Sequence, residues 1–178
     1  MSRIKDKFQE LKRKKQKALI AYIVAGYPSE KGTISAVRGL VKGGADIIEL
    51  GLPFSDPLAD GPVIQNACYH ALSKGMNLEK FVNLVKKIRK ETQVPLVLMT
   101  YANLLHRHGY DKFVRVVKKA GIDGLVLPDM ILEESKDFLN VVHRSDVDAI
   151  FLISPNTSAQ RIRKIANVSS GFLYLVSV

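Results

Sequence analysis

Two stretches of this chain share one construction: Gly43-Gly44-Ala45-Asp46-Ile47-Ile48-Glu49-Leu50 and Ala120-Gly121-Ile122-Asp123-Gly124-Leu125-Val126-Leu127. In each, glycine stands where a helix would end, because the residue past the last turn is often left-handed. Aspartate then leads into a run that is apolar almost without a break. Such runs read as parallel strands buried on both faces. Working outward, the same pattern gives strands at Ala18–Val24, Asp46–Leu50, Pro95–Thr100, Gly124–Pro128, Asp148–Ile153 and Phe172–Ser177. Helical periodicity falls between them, at 30–42, 62–73, 78–92, 110–120, 133–144 and 158–167. The plainest helix is 78–92, where Leu78, Phe81, Val82, Leu84, Val85 and Ile88 form one apolar stripe beside Lys80, Lys86, Lys87 and Lys90.

Alternating strands and helices specify a parallel α/β sheet. A (β/α)₈ barrel and a doubly wound sheet share that alternation. No Gly-x-Gly-x-x-Gly follows the first strand, which disfavours a dinucleotide fold, and the repeated βα unit suits a barrel. The expectation is a single partial barrel domain over residues 1–178, with an amphipathic helix at its N-terminus. Six strands do not close eight, and the last apolar run reaches Val176-Ser177-Val178. Two or more further βα units are therefore expected beyond these residues. The stretch by itself is expected neither to close nor to turn over substrate.

The composition is ordinary for a globular protein, with 47% apolar and 25% charged residues. No run approaches the roughly 18 apolar residues of a membrane span, and the basic N-terminus lacks the apolar core of a signal peptide. Cys68 is the only cysteine, so no intrachain disulfide forms, and the cytoplasm is the expected compartment. Net charge is +10, but much of it sits in residues 1–17, where eight basic side chains face only Asp6 and Glu10. Ile4, Phe8 and Leu11 share one face there. The basic side reads as a solvated helix face, and without interleaved aromatics or a recognisable module no nucleic-acid role is expected. His70, His106, His108 and His143 are scattered, so no metal site is expected, and no lysine motif for a Schiff base is present. Cys68 reads as a buried packing residue.

Chemistry concentrates in Asp46–Asn66, DIIELGLPFSDPLADGPVIQN. Glu49 lies near the end of an apolar strand, at the mouth where barrels carry their sites. Burial would raise its pKa toward that of a general acid; a partnered, purely structural carboxylate would sit there equally well. The following loop is dense in turn residues, from Gly51 to Pro62, and so has a defined shape. Asp60 either serves that site or merely caps the helix beginning at Pro62.

The string Glu49-Leu50-Gly51-Leu52-Pro53-Phe54-Ser55-Asp56-Pro57-Leu58-Ala59-Asp60-Gly61-Pro62 resembles the signature of the tryptophan synthase α family. Ala25-Gly26-Tyr27-Pro28, Met99-Thr100-Tyr101-Ala102-Asn103, Pro128-Asp129, Ser154-Pro155-Asn156-Thr157 and Phe172–Ser177 resemble its other segments in order. The resemblance implies a lyase that splits indole-3-glycerol phosphate into indole and glyceraldehyde-3-phosphate by retro-aldol cleavage. It implies that Glu49 is the general acid/base and that Asp60 accepts the indole N–H. Tyr22, Met99, Tyr101, Leu127, Leu152 and Tyr174 would line the substrate pocket, although ordinary packing inside a barrel accounts for such residues equally well. The implied partner is a β subunit in an α2β2 heterotetramer, met through Pro53, Asp56, Pro57 and Asn103. Pyridoxal phosphate belongs to that partner, and no cofactor is implied for this chain. Tyr27 departs from the family, which often has Asp there. The mobile catalytic loop after strand six and the phosphate-binding loops of strands seven and eight have no counterpart in these residues. Other readings are another phosphate-sugar barrel enzyme, a lyase that works without a β partner, and a non-catalytic barrel that activates one. The first does not explain the Glu49–Pro62 string, and the two retained carboxylates weigh against the last.

Overall fold

The computed structural model describes residues 2–177. Helix α1 (Arg3–Arg13) precedes β1 (Ile20–Val24), α2 (Glu30–Lys42) and β2 (Ile47–Gly51). Then come α3 (Pro62–Ser73), α4 (Leu78–Arg89), β3 (Leu96–Met99), α5 (Ala102–His108), α6 (Tyr110–Ala120) and β4 (Gly124–Val126). A 3₁₀ turn at Leu132–Glu134 leads into α7 (Lys136–Ser145), β5 (Asp148–Ile150), β6 (Leu152–Ile153), α8 (Ala159–Val168) and β7 (Tyr174–Leu175). Strands β1 to β5 pair in chain order, all parallel, and β6 pairs with β7. A doubly wound sheet reverses its strand order at a switch point; this one never does, so the winding is that of a barrel.

Strand alternation sorts the apolar residues into two layers. Ile47, Val97, Val126 and Ile150 pack inside the barrel with Ile20, Met99, Leu152, Phe172 and Tyr174. Their neighbours Ile48, Leu50, Leu98, Leu125 and Ala149 face outward into the cluster shared with the helices. Helix α1 closes the bottom of the inner layer. Ser2 caps it by accepting from the Lys5 N–H, Ile4 is fully buried, and the Phe8 ring lies 5.7 Å from that of Phe172. Its basic side is exposed, as its amphipathic pattern predicts.

Gly121 ends α6 in the left-handed region at φ 114°. A side chain there would also strike Arg89, whose Cδ lies 3.0 Å from a built Cβ. Both the conformation and the space therefore require glycine.

The main differences from the sequence reading are these. The fifth strand is split at Phe151, because β5 ladders with β4 while β6 ladders with β7. The strand expected over Phe172–Ser177 is confined to Tyr174–Leu175, with Val176 N–H reaching the Ile153 carbonyl at 2.9 Å; Val178 lies outside the described residues. The helix expected over 133–144 starts only at Lys136, after the 3₁₀ turn. Helix α5 was not foreseen: its first N–H, on Ala102, is capped by the carboxylate of Asp129 at 2.9 Å, a partner 27 positions along the chain. No helix among the described residues is long and apolar enough to cross a membrane.

Candidate active site

The C-terminal ends of the strands open onto a cavity of about 320 Å³ lined by Tyr22, Glu49, Ala59, Asp60, Ile64, Met99, Pro128, Leu152, Tyr174 and Val176. Glu49 reaches it from the inner face of β2, in register with Tyr22 on β1 and Val97 on β3. It is only 2% exposed, and its Oε1 has no hydrogen-bond partner among the described residues. A buried carboxylate without a donor is held toward its neutral form, and burial raises Glu49 to about 7. A partnered structural carboxylate is therefore not what stands here. Tyr174 is close enough that the Glu49 charge, after burial, raises its phenol further.

Asp60 approaches from the loop after β2. The cap of α3 is Gly61, with no side-chain capping bond, which removes the helix-cap alternative for Asp60. Its Oδ2 instead accepts from the Tyr101 hydroxyl at 3.1 Å, and its backbone carbonyl accepts from Gln65 Nε2 at 2.9 Å. Burial raises the Asp60 pKa and the Tyr101 bond opposes the rise. The cavity thus holds two carboxylates in unlike settings: one buried, with no protein donor on Oε1, the other half-buried and bonded. That is the arrangement that separates an acid from a hydrogen-bond acceptor.

Of the expected pocket residues, Tyr22, Met99, Leu152 and Tyr174 line the cavity. Leu127 does not: strand alternation turns it into the outer cluster, while the adjacent Pro128 reaches the wall. Tyr101 is buried behind the wall, stacked at 5.1 Å on Phe54. Ala59, Ile64 and Val176 complete the lining and were not anticipated, since nothing in an exposed loop residue or a first-turn isoleucine marks it as facing a cavity. Among the residues expected at a partner surface, Asp56 and Asn103 are exposed and Pro57 is half-buried. Pro53 is buried and lines a second cavity with Phe54 and Leu104. Tyr27 is exposed and meets the His70 ring edge-on at 5.3 Å. Cys68 is buried in α3.

Residues 8–178 match the family model for the tryptophan synthase alpha chain. The chain belongs to the tryptophan synthase alpha chain family. It is 52% identical to the tryptophan synthase alpha chain of Methanosarcina acetivorans over 175 residues, covering 98% of this chain and 64% of that one. The alpha chain of Acinetobacter baumannii is 46% identical, with 100% and 67% covered. This chain therefore spans about two thirds of the length of such alpha chains. Among solved structures, tryptophan synthase subunit alpha from Legionella pneumophila superposes with a TM-score of 0.96 at 41% identity, covering 99% of this chain and 68% of that one. A tryptophan synthase complex from Pyrococcus furiosus superposes with a TM-score of 0.86 at 38% identity, with 90% and 66% covered. The barrel expected from the sequence is thus the fold of the family.

Proposed function

We propose that the protein is a lyase of tryptophan biosynthesis that cleaves indole-3-glycerol phosphate to indole and glyceraldehyde-3-phosphate. One observation carries most weight: Glu49, buried and without a protein donor on Oε1, faces the same cavity as Asp60. With a pKa near 7, Glu49 exchanges a proton easily at neutral pH. Glu49 delivers a proton to indole C3, making the ring a leaving group, and removes the proton of the glycerol hydroxyl as the carbon–carbon bond breaks. Asp60 accepts the ring N–H and stabilises the positive charge that develops there. Met99, Leu152, Tyr22 and Tyr174 supply an apolar wall of the kind an aromatic ring needs.

The proposed partner is a tryptophan synthase β subunit in an α2β2 assembly, met by the face that carries Asp56, Pro57 and Asn103, with Pro53 beneath it. Pyridoxal phosphate would be held by that partner. A cytoplasmic location accompanies this reading, since a lone buried cysteine such as Cys68 is ordinary there.

The test is indole release from indole-3-glycerol phosphate by the gene product, with and without a β subunit. Glu49→Gln should lower turnover by about 10²- to 10⁴-fold, and Asp60→Asn should also lower it. Turnover unchanged in Glu49→Gln refutes the acid/base role. An inactive parent that still activates the β subunit identifies a non-catalytic partner instead.

A further inference from the structure

We infer that Tyr101 is a positioning residue, which fixes the Asp60 carboxylate for its ligand from behind the cavity wall. The lyase reading enters only in naming indole as that ligand.

Glu49 needs no such help, because a strand with neighbours on both sides sets its backbone. Asp60 lies near the end of a loop, residues 52–61, that belongs to no helix or strand. Two short backbone bonds, Leu58 N–H to the Asp56 carbonyl and Asp60 N–H to the Pro57 carbonyl, shape the loop but leave the Asp60 side chain free. Tyr101 by contrast stands on a rigid base. It lies one residue past β3, Thr100 between them bonds the Val126 carbonyl at 3.1 Å, and Asp129 pins Ala102 after it.

From that base Tyr101 holds the loop at two places. Its ring stacks on Phe54 near the loop's start. Its hydroxyl accepts the Ala59 N–H at 3.0 Å and donates to Asp60 Oδ2 at 3.1 Å. The sense of these bonds is forced: a backbone N–H only donates, so the single phenolic proton is left for the carboxylate. Among the described residues no other side chain donates to the Asp60 carboxylate. One acceptor site of Oδ2 is thereby engaged, and the rest of the carboxylate, Oδ1 included, remains for a ligand in the cavity. Tyr101 is 7% exposed and absent from the cavity lining, so it acts through Asp60 and does not touch the ligand.

These residues include no tryptophan, so the fluorescence of indole itself reports binding without a tryptophan background from them. Tyr101→Phe keeps the ring and its stacking and should weaken indole binding about tenfold, the effect of one hydrogen bond to a charged group. Asp60→Ala should weaken it at least as much, and the double variant no further than Asp60→Ala, since both act through one carboxylate. Besides Tyr101, the groups that feel the Asp60 charge are the Tyr22 phenol and the Cys68 thiol, and both stay in place. A carboxyl ¹³C titration of Asp60 should therefore move to a higher midpoint in Tyr101→Phe, because the lost bond favoured the ionised form. Additive losses in the double variant, or an unmoved midpoint, overturn the inference. If Asp60→Ala binds indole like the parent, the ligand reading has failed and the titration alone decides: an upward shift supports positioning by Tyr101, an unmoved midpoint rejects it.

Discussion

The two ends of the barrel treat a buried carboxylate in opposite ways. At the closed end, Asp123 is 5% exposed and fully engaged. It accepts from Arg3 at 2.8 Å, from Arg89 and from the Leu96 N–H at 2.9 Å. At the open mouth, Glu49 is 2% exposed and its Oε1 has no donor. Both have been taken out of water, so desolvation does not separate them; partners do. Asp123 ties together α1, the end of α4 and the starts of β3 and β4, and its burden is structural. Glu49 is left in a state that works against folding, and such a state persists only where the surrounding structure imposes it.

The largest effect that would break this contrast lies at the closed end. Asp123→Ala strands the Arg89 guanidinium, which is deeply set and otherwise bonds only the carbonyls of Thr92, Val94 and Gly121. Removing one member of a buried pair typically costs about 3–5 kcal/mol. Urea unfolding should show a loss of that order, with indole affinity unchanged in whatever fraction stays folded. A loss below about 1 kcal/mol, the worth of an exposed pair, would show that the two ends do not differ as described.

Glu49→Gln should do the reverse. The folded pKa of Glu49 is about 7, against 4.5 in its ordinary state. Between those values the folded chain binds the proton more tightly than the unfolded chain, so the Glu49 contribution to stability falls as pH rises through that window and levels off above it. Glutamine has no charge to desolvate. The variant should gain about 2–3 kcal/mol over the parent at pH 8, and nothing at pH 4. Denaturant midpoints at the two pH values check this. Equal gains at both would mean that packing, not charge, distinguishes the side chains.

Much of the molecule could be read in advance because its signals are local. Glycine, then aspartate, then an apolar run marks a helix-to-strand joint at two places, and the near-continuous apolar runs mark the other strand sites. What was not readable depended on distant partners. Helix α5 starts where Asp129 caps it, and no local pattern around Ala102 reports an acid 27 positions away. Leu127 and Pro128 trade places at the cavity wall because strand phase is fixed by laddering and not by composition. Glu49 could be placed at a mouth, but its lack of a donor is a fact about every neighbouring element at once. Likewise Asp60 could be a cap or a site residue until Gly61 took the cap position.

The smallest perturbation sharpens the contrast from the side of space instead of charge. Gly51 ends β2 with the Tyr22 side chain lying across it, so close that a built Cβ would sit 2.8 Å from the Tyr22 Cζ. Its φ is not among the positive values, so the glycine is there for room and not for backbone freedom. Gly51→Ala must therefore push Tyr22 aside, and the ring can yield because it is half-buried and borders the cavity. The overpacking should cost about 1–2 kcal/mol of stability, but the displaced ring moves in the space where a ligand would lie. Indole binding should suffer more than folding does. If Tyr22 is the obstacle, adding Tyr22→Ala to Gly51→Ala should restore the lost stability relative to Tyr22→Ala alone, a non-additive pair of the kind expected for residues in contact. Strict additivity would mean that Gly51 serves the strand and not the cavity, and the mouth would then resemble the closed end more than its carboxylates suggest.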